Sequence, residues 1–205
     1  RAFSPRFGLV YKPTASTALF ASYANSFAPN TGTDIYYGAL MPSIIDQFEA
    51  GVKNDFFKGL LSANLTFYMI VNNNLAQTAQ FDSAGNENSN TNLKELVGQT
   101  KSKGVELDIT VRPVINLSII AGYSYNDMRY SKTPDTKGSY IEGERLVNTP
   151  QHTANGSVFY TFNSFAIKGL KIGASVFYTG NRYGGWNNTI DQAQQYSRLI
   201  PVDGF

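Results

Sequence analysis

The chain of 205 residues contains no cysteine. That removes disulfide frameworks, thiolate nucleophiles and cysteine-ligated zinc together. Histidine is nearly as scarce: a lone His152 cannot by itself build a histidine metal site. Charge of either sign is thin, with a formal net of +2, so nothing in the chain forms the basic footprint of a nucleic-acid binder or the polybasic run that holds an anionic surface. No apolar run approaches the ~20 residues that a membrane-spanning helix needs; the stretch 67–71 is among the longest. The chain opens at Arg1 without an initiator Met or a signal peptide and stops at Phe205 without a turn or cap, which reads as both ends being cut from a longer protein.

Tyrosine, phenylalanine and glycine are abundant, at 13, 14 and 18 residues, a mixture that favours strands and tight turns over helices. The mean hydropathy of -0.24 does not argue against a membrane. A membrane strand needs only ~10 residues, of which alternate side chains meet lipid, and a hydropathy average is blind to that pattern.

Alternation is clearest in Val105-Glu106-Leu107-Asp108-Ile109-Thr110-Val111-Arg112, oily on one face and polar or charged on the other. In residues 61–71 the positions Leu61, Ala63, Leu65, Phe67, Met69 and Val71 share one side. Phe48, Ala50 and Val52 oppose Gln47, Glu49 and Lys53; Leu117, Ile119, Ala121 and Tyr123 oppose Ser118, Gly122 and Ser124; Leu170, Ile172, Ala174, Val176 and Tyr178 oppose Lys171, Gly173, Ser175 and Thr179. Weaker runs cover 7–12, 17–26 and 153–160, and another begins at Leu199. The sum is roughly eight complete strands and one begun.

The connections alternate between short and long. Short ones fall at 13–16, 56–60, 113–116 and 163–169; long ones, rich in Asn, Thr, Ser, Gly and Tyr, fall at 27–45, 72–98, 129–150 and 181–198. Structureless loops of that length are uncommon in compact soluble domains, whereas short turns on one rim and long loops on the other are expected of an outer-membrane barrel. A soluble sandwich would turn the oily faces to a core; a barrel turns them to lipid and lines a wet lumen with Glu49, Lys53, Glu106, Asp108, Arg112 and Lys171. Aromatic residues near strand ends favour the barrel: Phe20, Tyr23, Phe27, Tyr123, Tyr125, Phe159, Tyr160, Phe177 and Tyr178 are expected to form interfacial girdles. So charged a polar face suits a wide lumen, which makes the chain a sector of a larger barrel.

Enzymatic readings find no support. Glu49, Glu106 and Asp108 have no nucleophile or metal ligand beside them and read as lumen-lining charges. His152 and Ser157 are five apart on one strand and point to opposite faces, so they do not form part of a triad. Gly32 and Gly184-Gly185 lack the strand, lysine and helix of a phosphate loop. The sequons at Asn64, Asn116, Asn155 and Asn187 are incidental in a bacterial setting.

Five or six segments, taken in order, resemble the carboxy-terminal barrel half of TonB-dependent siderophore receptors. These are Ser4-Pro5-Arg6-Phe7-Gly8-Leu9-Val10-Tyr11-Lys12-Pro13-Thr14, then Leu19-Phe20-Ala21-Ser22-Tyr23-Ala24-Asn25-Ser26-Phe27-Ala28-Pro29-Asn30 and Asp46-Gln47-Phe48-Glu49-Ala50-Gly51-Val52-Lys53. Next come Ser102-Lys103-Gly104-Val105-Glu106-Leu107-Asp108, Glu142-Gly143-Glu144-Arg145-Leu146-Val147-Asn148-Thr149-Pro150-Gln151-His152-Thr153 and Leu199-Ile200-Pro201-Val202-Asp203.

The resemblance implies an all-β, transmembrane antiparallel up-and-down barrel of twenty-two strands with a plug inside. Residues 1–205 would form part of that one barrel domain, from roughly the thirteenth strand to the start of the twenty-first, with plug, TonB box and closing strands absent. It implies a bacterial outer-membrane location among outer-membrane lipids, and transport without bond breakage. A ferric siderophore would be bound at extracellular loops and imported with energy from the TonB-ExbB-ExbD complex. Iron would travel only as cargo, with no resident cofactor, metal site or catalytic residue. Haem, cobalamin and glycan importers share the architecture, and a passive porin would share strands and loops. Because rigid rings bury much area at small entropic cost, the candidate ligand-binding residues are the presumed loop residues Tyr36, Tyr37, Arg129, Tyr130, Tyr183 and Trp186, with Tyr140 beside them. Residues 32–45 carry no signature of the family.

Overall fold

The computed structural model describes residues 3–96, 98–133, 141–186 and 199–202. Eight strands form one antiparallel sheet: β1 (Arg6–Tyr11), β2 (Thr17–Ala28), β3 (Ser43–Phe56), β4 (Leu61–Asn73), β7 (Gln99–Val114), β8 (Leu117–Lys132), β9 (His152–Thr161) and β10 (Lys171–Thr179). Each pairs with the next along the chain, in the order β1-β2-β3-β4-β7-β8-β9-β10. The remaining strands are a short hairpin, β5 (Ala76–Thr78) with β6 (Lys94–Leu96), and a second pair, β11 (Arg182–Trp186) with β12 (Leu199–Val202). The up-and-down sheet and its eight strands are those expected from the alternation; β11 lies inside a stretch expected to be loop.

Register turns alternation into two walls. Leu65 stands opposite Leu107, Leu107 opposite Tyr123, and Tyr123 opposite Ala154; one step along, Thr66, Glu106, Ser124 and Thr153 share the other face. Exposed side chains such as Leu9, Leu19, Phe67, Ile119, Ile172 and Val176 all fall in the oily rows. A bare apolar surface of this extent is untenable in water and ordinary against acyl chains.

The oily rows also have the right height. On β7 they run from Val105 to Val114, and roughly ten residues at ~3.3 Å, tilted ~40°, rise about 23–25 Å, close to the ~25 Å apolar band of an outer-membrane barrel. Above that band the same face changes character: Lys103 stands opposite Asp127, and Lys101 opposite Arg129. Strands β7 and β8 are 16 residues each, longer than the band requires, so they rise beyond the lipid. Only the last four residues of β8, 129–132, fall in a stretch that the sequence reads as loop, because the oily alternation stops below them.

The aromatic assignment needs a correction. Tyr23, Phe27, Tyr123, Tyr125, Tyr160 and Tyr178 do lie in the outward rows. Phe20 shares a row with Gly51, Thr66 and Glu106, Phe159 with Ser118 and Gly173, and Phe177 with Asn155 and Gly122, so these three belong to the inward face. The inner surface of a curved sheet crowds its side chains, and large rings fit where a neighbour has none. Phe20 lies over Gly51 and Phe159 over Gly173. Each ring carries a lysine: Lys53 Nζ is 5.3 Å from the Phe20 centroid and Lys171 Nζ 4.6 Å from that of Phe159. His152 sits in the outward belt, its Nδ1 2.8 Å from the Tyr123 hydroxyl oxygen and its ring 5.2 Å from that of Tyr125.

Candidate functional site

Among the described residues, the connections β2–β3, β4–β7 and β8–β9 lie at one end of the sheet, and the hydrogen bonds below tie neighbouring ones together. In the β2–β3 connection, Asn30 Nδ2 donates to the carbonyls of Met41 at 2.6 Å and Asn74 at 2.7 Å, which joins this loop to the end of β4. Thr33 N donates to the Asn92 carbonyl at 3.0 Å and Lys94 N to the Thr33 carbonyl at 2.7 Å, so the loop also pairs with the segment entering β6. Gly32 permits that approach: its φ is +92°, and a Cβ there would overlap the Asn92 carbonyl oxygen.

Between Thr33 and Ala39, which bridge, the chain makes a small hairpin. Its tip is Tyr36 and Tyr37, exposed to 75% and 74%. The Asp34 carboxylate turns inward and accepts from the backbone N–H groups of Tyr36 at 2.9 Å and Gly38 at 2.7 Å. A similar turn closes around Asp82, which accepts from the N–H groups of Ala84 and Asn86; these bonds, led by that from Asn86, hold its carboxyl below the usual range.

Arg129 and Tyr130 were expected in a loop, but they occupy the upper end of β8. The chain returning through residues 141–148 pairs with that end: Tyr130 N donates to the Glu144 carbonyl at 3.0 Å and Leu146 N to that of Met128 at 3.2 Å. Consecutive side chains then point opposite ways. Arg129, on the outward side, engages Asp127 at 2.9 Å and donates to the Gly143 carbonyl at 2.8 Å. Tyr130, on the inward side, is 1% exposed; it packs with Leu146, Leu75 and Met128, and its hydroxyl exchanges hydrogen bonds with the Gln77 amide at 3.0 and 3.1 Å. Its ring joins two connections and offers no face to a ligand.

Tyr183 is in β11, its carbonyl accepting from Asn148 N at 2.7 Å, with the Arg145 guanidinium 5.6 Å from its ring centroid. Burial lowers the pKa of that guanidinium, and the charge of Arg129 adds to the effect. Trp186 closes β11 opposite Leu199. Tyr140 lies outside the described residues. Of the six candidates, the structure therefore presents Tyr36 and Tyr37 together, sets Arg129 on the outer side, buries Tyr130 and places Tyr183 and Trp186 on another hairpin.

Beneath this rim the inward face holds polar groups that a search for loop aromatics overlooks. A recess of about 350 Å³ is lined by residues including Gln47, Glu49, Tyr68, Asn72, Thr100 and Asn126. Asn72 and Thr100 are register partners, and the Asn72 Oδ1 and Thr100 Oγ1 atoms are buried without a hydrogen-bond partner among the described residues. The inward parity of the strands marks them, although their depth does not follow from parity alone.

An antiparallel wall with a bare oily band, a charged inner face and tied loops on one rim defines a class, the outer-membrane β-barrel. The comparisons give the family: all of residues 1–205 match the model described as "TonB dependent receptor-like, beta-barrel", and the chain belongs to that family. Curated relatives include a metal-pseudopaline receptor of Pseudomonas aeruginosa, 31% identical over 90% of this chain and 24% of its own length. A TonB-dependent receptor of Haemophilus influenzae is 30% identical over 97% of this chain and 54% of its own length. The chain thus spans about a quarter of the first and about half of the second. Among solved structures, the FpvAI receptor in complex with pyocin S2 superposes with a TM-score of 0.70 at 23% identity, over 100% of this chain and 26% of that one. The FrpB iron transporter of Neisseria meningitidis gives 0.69 at 17%, over 98% and 30%, and at such identities the likeness is one of fold.

Proposed function

We propose that the whole protein is an active importer that captures a ferric siderophore at the rim and passes it along the charged inner wall. The energy comes from the TonB-ExbB-ExbD complex acting on a plug domain, and the outward rows rest in outer-membrane lipid. The work is binding and gating, no bond is broken, and iron is cargo inside its chelate. The observation that carries this reading is the wall itself: a wide polar face beneath tied loops, in a family whose named members include ferrioxamine B, ferric-pyoverdine and ferrichrome receptors. A passive porin would use the same strands; the named relatives, which are receptors and transporters, favour the import reading over it.

Tyr36 and Tyr37 are the proposed ligand contacts, supported by their exposure at the tip of the hairpin, with Tyr183 and Trp186 proposed beside them from sequence alone. Arg129 sits outside the rim and Tyr130 within its packing, so both support the loops and neither is part of the grip.

Deleting the gene in iron-starved cells is expected to abolish uptake of at least one labelled ferric siderophore from a broad panel, and the intact gene on a plasmid should restore it. Unchanged uptake across the panel would reject the proposal. One relative is named a metal-pseudopaline receptor, so the same panel loaded with a metal other than iron tests whether the chelate or the iron is recognised.

A further inference from the structure

The sequence has no basic run, yet the sheet gathers cations from three separate segments onto one spot of its outer surface. Lys101 and Lys103 of β7 and Arg129 of β8 lie in outward rows, Lys101 opposite Arg129, and the returning chain adds Arg145 by a bridge to Arg129. One row therefore runs Lys101, Arg129, Arg145 across three neighbouring backbones. Like charges set opposite one another destabilise a sheet. Asp127 offsets one of them through its 2.9 Å bridge to Arg129, while Lys101 and Lys103 have no salt bridge among the described residues.

The placement is local. Among the described residues, the outward rows of β1, β2, β3, β4, β9 and β10 hold no lysine or arginine. At the level of Lys103 they hold Met69, Phe48 and Tyr23, and at that of Lys101 they hold Val71, Asp46 and Asn25. Asp46 is separated from Lys101 by β4 and accepts from the Tyr23 hydroxyl at 2.7 Å and the Asn25 amide at 2.9 Å. A collar of solvated charge would be spread round the wall, whereas this is a patch.

Its height matches the headgroups of the leaflet on the long-loop side, which is the outer one in a barrel of this class. At ~3.3 Å per residue and ~40° of tilt, Lys103 and Lys101 stand ~5 and ~10 Å above Val105, the top of the oily run of β7. The polar layer of a bilayer is roughly 5–8 Å deep on each side, and a lysine stem can lie along apolar neighbours while its ammonium reaches that layer. Tyr125, opposite Val105, and His152 beside it form the aromatic level just below. An open cleft of about 440 Å³ lies among the cations, lined by residues including Lys101, Lys103, Asp127, Arg129 and Glu142. Glu142 accepts from Thr133 N at 3.1 Å, so both carboxylates are engaged and the four cations leave the patch net positive.

We propose that Lys101, Lys103, Arg129 and Arg145 form a binding site for the phosphate groups of an anionic lipid of the outer leaflet, whose acyl chains run down the oily rows below. Phosphate oxygens there would relieve the repulsion along the row through charge-assisted hydrogen bonds. The site depends on the membrane placement alone and is independent of the cargo.

The test uses the full-length receptor, stripped of lipid in detergent, and three probes: diphosphoryl lipid A, lipid A with its phosphates removed, and inorganic phosphate. Lys101→Gln with Lys103→Gln is expected to weaken binding of diphosphoryl lipid A at least tenfold, and Lys101→Arg with Lys103→Arg to stay within about twofold of the unaltered receptor. The same loss of charge on the inner face, Lys53→Gln with Lys171→Gln, is expected to leave lipid binding unchanged. Binding unaffected by the outer glutamines, or lost equally with the inner pair, overturns the proposal. So does equal affinity for the dephosphorylated lipid, which would leave acyl contact alone, or inorganic phosphate bound as tightly as the lipid, which would make this a free-anion site. A second measurement needs no variant: in the unaltered receptor, bound diphosphoryl lipid A is expected to slow the reaction of Lys101 and Lys103 with a water-soluble acylating reagent at least threefold, and unchanged reactivity would also overturn the site.

Discussion

Replacing Leu107 by Arg in the full-length receptor is expected to destabilise the folded barrel by about 2 kcal/mol, because this side chain lies in an outward row inside the apolar band, where a guanidinium loses its water. Leu107 is flanked in its row by Leu65 and Tyr123, so the new charge would have an apolar neighbour on each side. The control is one residue away. Glu106 shares its row with Thr66 and Ser124, and Glu106→Gln is expected to leave the membrane-facing surface unaltered and stability within about 1 kcal/mol. Urea unfolding of the two variants in lipid vesicles, followed by loss of the compact heat-modifiable band on gels, measures both. Equal losses for the two changes would remove the distinction between faces.

The second large effect is expected at Gly104. Its inward-facing hydrogen stands where a Cβ would overlap the carbonyl oxygen of Tyr125 and the ring of Tyr68. The ring can swing aside, but the carbonyl belongs to the ladder that binds β7 to β8. Gly104→Ala must therefore distort either the ladder or the packing of Tyr68. Over-packing of this kind typically costs about 1–3 kcal/mol, and Gly104→Val should cost more. Adding Tyr68→Ala to Gly104→Ala should recover only the part due to the ring. Melting of the purified receptor in detergent checks the series, and an alanine variant as stable as the parent would show that the inner face has room for a Cβ at this position.

These two sites also show what was legible in the sequence. Leu107 and Glu106 lie in a run whose alternation is unbroken, and one period of two is enough to assign every side chain in it to a face. Glycine at 104 was visible, but the tyrosine that fills its space comes from β4, and no local pattern announces a partner so distant in the chain. The same limit explains Phe20 and Phe159. Their positions near strand ends suggested interfacial rings, while parity and the space over Gly51 and Gly173 put them inside beneath Lys53 and Lys171.

At the rim the sequence was least informative. Arg129 and Tyr130 were expected in a loop because the oily alternation stops below them, yet backbone pairing with residues 141–148 extends the sheet to Lys132. Such pairing depends on main-chain groups that every residue carries. Tyr36 and Tyr37 were identified as exposed rings from composition and position. The role of Asp34 follows only from the hydrogen bonds that its carboxylate makes.

Alternate residues of one strand are held to meet lipid and water, and this is directly measurable because residues 1–205 hold no cysteine and any cysteine elsewhere in the receptor can be replaced by serine. Single cysteines at positions 105 to 110 of the full-length receptor, each carrying a nitroxide, can be read for collision with oxygen dissolved in the bilayer and with a water-soluble nickel chelate. The account predicts oxygen-accessible labels at 105, 107 and 109 and shielding from oxygen at 106, 108 and 110. Labels at 106 and 108 that sense the bilayer, or a profile without a period of two, would contradict it.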